Sequence, residues 1–240
     1  MAEKKTVARS GKKSKPGAGK RAPGGTSRAF AALFAALTRA YGRRRRQTRE
    51  ETLDRIVLAV LSEGVGERTS LRFMGRIGKV FVDWNEVRVA RPRDLMAAAP
   101  DAPEDRVKSM QALLQALYEN LGGLDIGALQ NMKSAELRTW LARLGPLGRE
   151  EAEAVMMIAL DRPVIPANDG VARVLRRTGL VPRKASRARA QRAVLKGVAP
   201  GSYRDFYGLA LEHAVSVCHD QVPDCARCKL KRNCKSRGRW

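Results

Sequence analysis

Acidic side chains are scarce in this sequence of 240 residues, where 24 Asp and Glu stand against 47 Lys and Arg and leave a formal net charge of +23. An excess of this size favours a polyanionic partner. Nucleic acid fits best because a phosphate backbone releases counterions to a basic protein. A basic surface that meets only solvent is the alternative.

Long apolar runs are also missing. No segment offers the roughly 20 consecutive apolar residues of a membrane-spanning helix, and no apolar stretch follows the Lys-rich start as it would in a secretory signal. We therefore expect an intracellular, cytoplasmic protein that associates with the nucleoid and has no membrane partner. We also expect it to act as a monomer.

No stretch alternates apolar and polar residues for long, so nothing in the sequence indicates β-strands. Apolar residues recur instead three and four positions apart, as in helices that bury one face. The clearest examples are Leu53, Ile56, Val57, Val60 and Leu61. Later helices are predicted over residues 169–177, 186–196 and 203–217. The sequence therefore predicts an all-α fold.

The first 26 residues contain almost no large apolar side chains and are rich in Lys, Gly, Pro and Ser. Such a segment cannot bury enough apolar surface to offset the entropy of ordering it. We predict a disordered basic tail over residues 1–26. A short helix pattern follows and ends at Gly42, before a run of four arginines at 43–46 that is either a solvated face or a phosphate contact.

Cysteine is confined to the last 23 residues of the chain. The four cysteines are Cys218, Cys225, Cys228 and Cys234, in the spacing C-x6-C-x2-C-x5-C. In a reducing compartment they are not expected to form disulfides, so a metal or redox role is favoured. Thiolates from so short a segment can bind one tetrahedral zinc ion or the four irons of a cubane cluster, and chemistry alone does not choose between them.

This cysteine spacing resembles that of the endonuclease III and adenine glycosylase families, whose C-terminal loop holds a [4Fe-4S] cluster. The resemblance implies the same cofactor here, in a structural role, with zinc as the alternative. His213 and His219 flank the cysteines, and we expect hydrogen-bonding or surface roles for them. The resemblance also implies that nearby cations reach DNA phosphates. These cations are Arg227, Lys229, Lys231 and Arg232.

A second resemblance lies upstream, where residues 144–148 read Leu-Gly-Pro-Leu-Gly. This segment is similar to the helix-hairpin-helix motif of the same families, whose glycines let backbone N–H groups approach a DNA phosphate at the start of the next helix. Pro146 stands where the family has its first glycine and removes one such N–H group. The resemblance implies DNA contacts at Gly145, Leu147, Gly148 and Arg149.

The resemblance also implies where catalysis would take place. In bifunctional members a Lys two residues past the hairpin forms a Schiff base with the sugar, and Glu150 stands there in this sequence. A carboxylate cannot form an imine, so weak or absent AP-lyase activity is implied. The Asp that assists an attacking water in other members aligns with Asn168, and Asp169 follows it. The catalytic candidates are therefore Glu150, Asn168 and Asp169.

The family resemblance implies two helical domains with DNA lying across the cleft between them. We expect a six-helix domain over residues 48–162, with the hairpin at 144–152, and a cluster domain that joins residues 27–47 to 163–240. The implied function is base-excision repair: damaged double-stranded DNA is bound, a base is extruded and its N-glycosidic bond is cleaved. The alternative is a damage- or structure-specific DNA-binding protein that has kept the scaffold without catalysis.

Overall fold

The computed structural model describes residues 25–42 and 52–238, with side chains from Arg28 onward in the first helix. All regular secondary structure in these residues is helical, which confirms the all-α prediction. The first 24 residues of the predicted tail and the arginine run at 43–46 lie outside the described residues. The first helix begins at Gly25, two residues inside the segment that we predicted as tail.

Twelve α-helices occur within the described ranges. In chain order they are α1 (Gly25–Tyr41), α2 (Thr52–Leu61), α3 (Glu67–Ile77), α4 (Trp84–Val89), α5 (Pro92–Ala98), α6 (Glu104–Leu121), α7 (Gly127–Asn131), α8 (Ser134–Arg143), α9 (Arg149–Ile158), α10 (Asp169–Thr178), α11 (Arg187–Gly197) and α12 (Tyr203–Ser216). None of the helices in this part of the chain combines the length and the apolar composition needed to cross a membrane.

Helix α2 lies at the centre of a first group of helices, α2 to α9. Seven of its ten residues are buried. Apolar side chains cover most of the circumference of α2, so neighbouring helices must surround it to remove those side chains from water. α2 packs against α3, α6 and α9. α4 and α5 pack on α6, and α8 packs on α9 and thereby brings the predicted hairpin next to α2.

Helix α12 organises a second group, which also contains α1, α10 and α11. Phe206 of α12 lies between Phe30 and Phe34 of α1, with ring centroids 5.8 Å apart in each pair. This aromatic contact attaches the first described helix to the C-terminal part of the chain. α12 also contacts α3 and α9, so the two groups share a buried junction. The exact limits of the two predicted domains stay a prediction.

Candidate active site, hairpin and cysteine cavity

Asn168 is buried just before α10 and connects the two groups of helices. Its Oδ1 accepts the backbone N–H of Val171 at 3.0 Å, which caps α10. Its Nδ2 donates to Glu63 Oε1 at 2.6 Å, in the turn after α2. Because both ends of its amide are hydrogen bonded, Asn168 orients the carboxyl group of Glu63. An amide has no titratable proton, so Asn168 itself does not act as an acid or a base.

The carboxyl group of Glu63 is partly buried at this junction. Burial is the largest effect on it and the charges of Glu150 and Glu151 act in the same direction, so the pKa of Glu63 rises from 4.5 to about 7. Arg106 and the hydrogen bond from Asn168 favour the ionised form without outweighing these effects. A carboxyl group whose pKa lies near 7 can both donate and accept a proton at neutral pH.

Glu150 and Asp169 share the cation of Arg187, the first residue of α11. Arg187 Nη1 hydrogen bonds to Glu150 Oε1 and lies 3.5 Å from Asp169 Oδ2. Burial raises the pKa of Glu150, and the charge of Arg187 opposes that rise. The Asp169 side chain is 67% exposed, whereas Asn168 occupies the buried capping position. The structure therefore brings the three predicted catalytic residues close together, and their catalytic roles stay predictions.

Glu63 is the member of this site that the sequence reasoning did not select. Glu63 follows an apolar helix, after Leu61 and Ser62. An acidic side chain beside a buried helix needs a hydrogen-bond donor or a cation as its partner, which is the signal that could have selected it. The group that meets it is Asn168, 105 residues later in the chain. A partner so distant in sequence cannot be read from local spacing.

The hairpin between α8 and α9 has the backbone that its glycines predict. Gly145 has a φ angle of 83°, in the left-handed region that favours glycine. Gly148 is the residue before α9, and a Cβ atom on it would lie 2.5 Å from Glu151 Oε2. Leu147 is buried and anchors the turn to the core. The backbone at Gly145 is thus open to close approach among the described residues, whereas the Glu151 side chain covers Gly148.

The charges around this hairpin are mixed. Arg149 is 78% exposed and its Nε lies 3.4 Å from Glu153 Oε1. Glu150 and Glu151 occupy the first turn of α9, where the helix dipole favours negative charge and where a phosphate would approach. Glu151 Oε1 lies 3.5 Å from Arg106 Nη1, which neutralises part of its charge. The two acidic side chains would therefore compete with an anion that approached the start of α9.

All four cysteines line one cavity beside α10 and α12, and none of them forms a disulfide. Burial raises the pKa of Cys228 and of Cys234, and the neighbouring thiols add to both rises. N–H groups reach two of the sulfurs. Arg177 Nη1 lies 3.2 Å from Cys218 Sγ, and the backbone N–H of Leu230 donates to Cys228 Sγ at 3.4 Å.

This donor set fits an iron-sulfur cluster in kind. Four thiols from one short segment, with N–H groups directed at their sulfurs, are the ligands and hydrogen bonds that such clusters use. In the described part of the chain no group of three or more His, Cys, Asp or Glu side chains is arranged to hold a single metal ion. The predicted [4Fe-4S] cofactor therefore stays a proposal, supported by the chemistry of the ligands.

His213 also lines the cysteine cavity. Burial lowers the pKa of His213 to about 4, so its ring is neutral at physiological pH. The hydroxyl oxygen of Tyr41 lies 2.6 Å from His213 Nδ1, and Cys228 Sγ lies 3.8 Å from His213 Nε2. The hydrogen bond to Tyr41 is the kind of role that we expected for this histidine.

The predicted DNA-binding cations near the cysteines border an open groove between the end of α1 and the C-terminal segment. Arg39 of α1 lines the same groove. Lys229 Nζ donates to the carbonyl oxygen of Ala40 at 3.3 Å, which ties the two sides together. The cations contributed by the C-terminal segment are Arg227, Lys229, Lys231 and Arg232. Their positive charge is concentrated on one surface.

Comparisons with known proteins agree with this architecture. The chain is 23% identical over 134 residues to a protein of Methanocaldococcus jannaschii that is named as a DNA repair glycosylase, a match that covers 55% of this chain and 60% of that protein. It is 22% identical over 182 residues to endonuclease III of Thermotoga maritima, covering 75% and 81% of the two chains. No protein-family model matches the chain.

Among solved structures, a trapped covalent intermediate of endonuclease III with DNA superposes with a TM-score of 0.62 at 16% identity, over 87% of this chain and 95% of the other. A thermostable thymine-DNA glycosylase superposes with a TM-score of 0.60 at 14% identity, over 88% and 97%. The chain therefore has the helical fold of endonuclease III. The resemblance to endonuclease III-like DNA glycosylases is confirmed, at low sequence identity.

Proposed function

We propose that this protein is a DNA repair glycosylase of the endonuclease III type, which binds damaged double-stranded DNA, extrudes a base and hydrolyses its N-glycosidic bond. The observation that carries the proposal is the carboxyl group of Glu63, which has a pKa of about 7 and is oriented by Asn168 at the junction of the two groups of helices. Perturbed carboxyl groups of this kind are typical of sites for proton transfer.

Glu63 supplies the proton that the departing base requires. When the N-glycosidic bond breaks, its electron pair moves to the base nitrogen, and the neutral Glu63 carboxyl protonates the base. Water then attacks C1′ of the sugar cation, and the Glu63 carboxylate takes up a proton from that water. Asn168 holds the carboxyl group in place through its 2.6 Å hydrogen bond. The cycle thus returns Glu63 to its starting state.

AP-lyase activity is weak or absent in this proposal. The usual lyase step needs an amine that forms an imine with C1′, and Glu150 at that position is a carboxylate held by Arg187. Borohydride reduction of the enzyme with DNA containing an abasic site should therefore trap little covalent complex. A trapped yield equal to that of a lyase control would overturn this part of the proposal.

Two surfaces bind DNA in this proposal: the glycine-containing hairpin and the basic groove of the C-terminal segment. The hairpin residues Gly145, Leu147, Gly148 and Arg149 contact one phosphate group, and the cations of the C-terminal segment contact another part of the backbone. Cys218, Cys225, Cys228 and Cys234 hold a [4Fe-4S] cluster that fixes this segment to α10 and α12. An anaerobic preparation should contain about four irons per chain; one zinc would contradict the cluster.

The second candidate function is recognition of damaged DNA without cleavage. It is favoured by Asn168, which lacks the charge of the usual Asp, and by the acids at the start of α9. Single-turnover assays on duplexes with oxidised pyrimidines, uracil mismatches or abasic sites separate the two functions. Base release from any of these duplexes supports the glycosylase, whereas lesion-selective binding with no release from all of them supports the binder.

A further inference from the structure

A small, partly open cavity lies beside Glu63, between α2, α9 and α12. Aliphatic side chains form most of its wall, and the polar residues on it include Ser62, Glu63 and Tyr207. The space inside is close to that of one water molecule. The cavity therefore joins the carboxyl group of the proposed site to the buried hydroxyl groups beneath it.

Two hydroxyl groups at this cavity have no hydrogen-bond partner within the described structure. Ser62 Oγ and the Tyr207 hydroxyl are both fully shielded, and their residues are only 3% and 2% exposed. Buried hydroxyl groups almost always have a protein or water partner, because a hydroxyl group that is removed from solvent without a hydrogen bond costs free energy. An enclosed polar site that offers two or more partners is where a structural water molecule is expected.

We propose that this cavity binds one structural water molecule, held by Ser62 Oγ and the Tyr207 hydroxyl, which hydrogen bonds to the carboxyl group of Glu63. Tyr207 is then a positioning residue: it holds the water, and the water donates a hydrogen bond to the ionised carboxylate. The catalytic meaning of this contact rests on the proposed function, whereas the water site itself does not.

The direction of the effect on Glu63 follows from hydrogen bonding. A donor to the carboxylate favours the ionised form, so loss of the water raises the pKa of Glu63 further. The charged and titratable groups around Glu63 come from several helices and remain in place when Tyr207 is changed. They are Glu67 of α3, Arg106 of α6 and Glu150 and Glu151 of α9. A change in the Glu63 titration is thus assigned to the water and the hydroxyl group.

The test is a double-mutant cycle on the full chain with its cofactor, using Tyr207→Phe, Ser62→Ala and both together. If the hydroxyl groups share one water, each single change lowers the melting temperature, and the double change lowers it by less than the sum because the first change already releases the water. If the cavity is dry, each change removes an unpaired polar group and raises the melting temperature, and the two effects add. The second pattern would overturn the proposal.

Two further readouts keep the result decisive. A crystal structure of the unaltered protein should show an ordered water within about 3 Å of both hydroxyl oxygens, and an empty cavity would overturn the proposal even if a variant failed to fold. In single-turnover base release, Tyr207→Phe should move the alkaline limb of the pH profile upward, and Tyr118→Phe at an exposed position should not. The melting and crystallographic results test the water site even if no base is released. Failure of the glycosylase proposal can therefore be told apart from failure of the water-site proposal.

Discussion

Glu63 should make the stability of this protein depend on pH. Its pKa is near 4.5 in the unfolded chain and about 7 in the folded protein, so the folded protein binds more protons between these values. Stability due to the neutral carboxyl group is fully present below pH 4.5, is lost as pH rises toward 7, and stays lost above. The free energy involved is on the order of 3 kcal/mol.

Glu63→Gln removes this titration, so the variant should gain stability relative to the unaltered protein as pH rises from 5 to 8. Urea unfolding at both pH values measures the difference. Glu104→Gln is a matched control, because Glu104 is 63% exposed and pairs with Lys108 on the surface of α6. If the stability of the Glu63 variant and that of the unaltered protein depended equally on pH, the raised pKa of Glu63 would be contradicted.

Single residues show where sequence reasoning ends. The position of Asn168 was predicted from a resemblance, but its partnership with Glu63 was not, since that contact joins turns 105 residues apart. Glu151 presents the same limit. Its side chain folds over Gly148, a contact within the start of α9, and also approaches Arg106 of α6. The second contact joins residues 45 positions apart, so local spacing does not encode it.

At the scale of the helices, the start of α9 should control affinity for DNA. Glu151→Gln keeps the size of the side chain and removes a negative charge from the turn that is proposed to receive a phosphate. Binding to duplex DNA should tighten by roughly two- to fivefold at low salt, the effect of one charge at a helix end. Fluorescence anisotropy with a labelled duplex measures this affinity.

The control for this change is Glu119→Gln on α6, which removes the same charge away from the hairpin and should leave affinity nearly unaltered. Both variants change the net charge equally, so a specific gain from Glu151→Gln cannot come from overall charge. If the two variants bind DNA equally tightly, the hairpin does not receive a phosphate at the start of α9.

Helices were the most predictable elements. Spacing of apolar residues predicted helices over 169–177, 186–196 and 203–217, and α10, α11 and α12 have those limits within one residue. Caps explain part of this success, since Asn168 and Ser186 accept backbone N–H groups at the starts of α10 and α11. The packing of α1 on α11 and α12 was implied only by the family resemblance, because no local pattern encodes so distant a contact.

At the scale of the whole molecule, the net charge of +23 should appear in the salt dependence of DNA binding. The logarithm of affinity should fall linearly with the logarithm of salt concentration, by about 0.9 for each phosphate neutralised. Replacing Lys231 and Arg232 together by Gln should reduce this slope by about 1 to 2 if both side chains of the groove contact phosphates.

Replacing Arg91 and Arg93 by Gln provides the matched control. Their side chains are 66% and 73% exposed at the start of α5, outside the groove that contains Lys231 and Arg232. The control pair should change the slope much less than the groove pair. Equal changes in slope would mean that DNA binding depends only on the net charge of the protein, and the proposed groove contact would be wrong.

Composition and motifs predicted the all-α class and the resemblance to endonuclease III, because each depends on patterns contained in the sequence itself. The chemistry of the site depends on charges gathered from α2, α6, α9 and α10, and that arrangement follows only from the folded chain.

Base release under single-turnover conditions shows whether Glu63 carries out the proton transfer proposed for it. The unaltered protein, Glu63→Gln and Glu104→Gln are compared at pH 6.5 on the damaged duplexes, with free base measured. The unaltered protein and Glu104→Gln should release the base, and Glu63→Gln should release it more slowly by a factor on the order of 10²–10⁴. Release that survives Glu63→Gln unchanged, or no release by any of the three proteins, would contradict the proposed proton transfer.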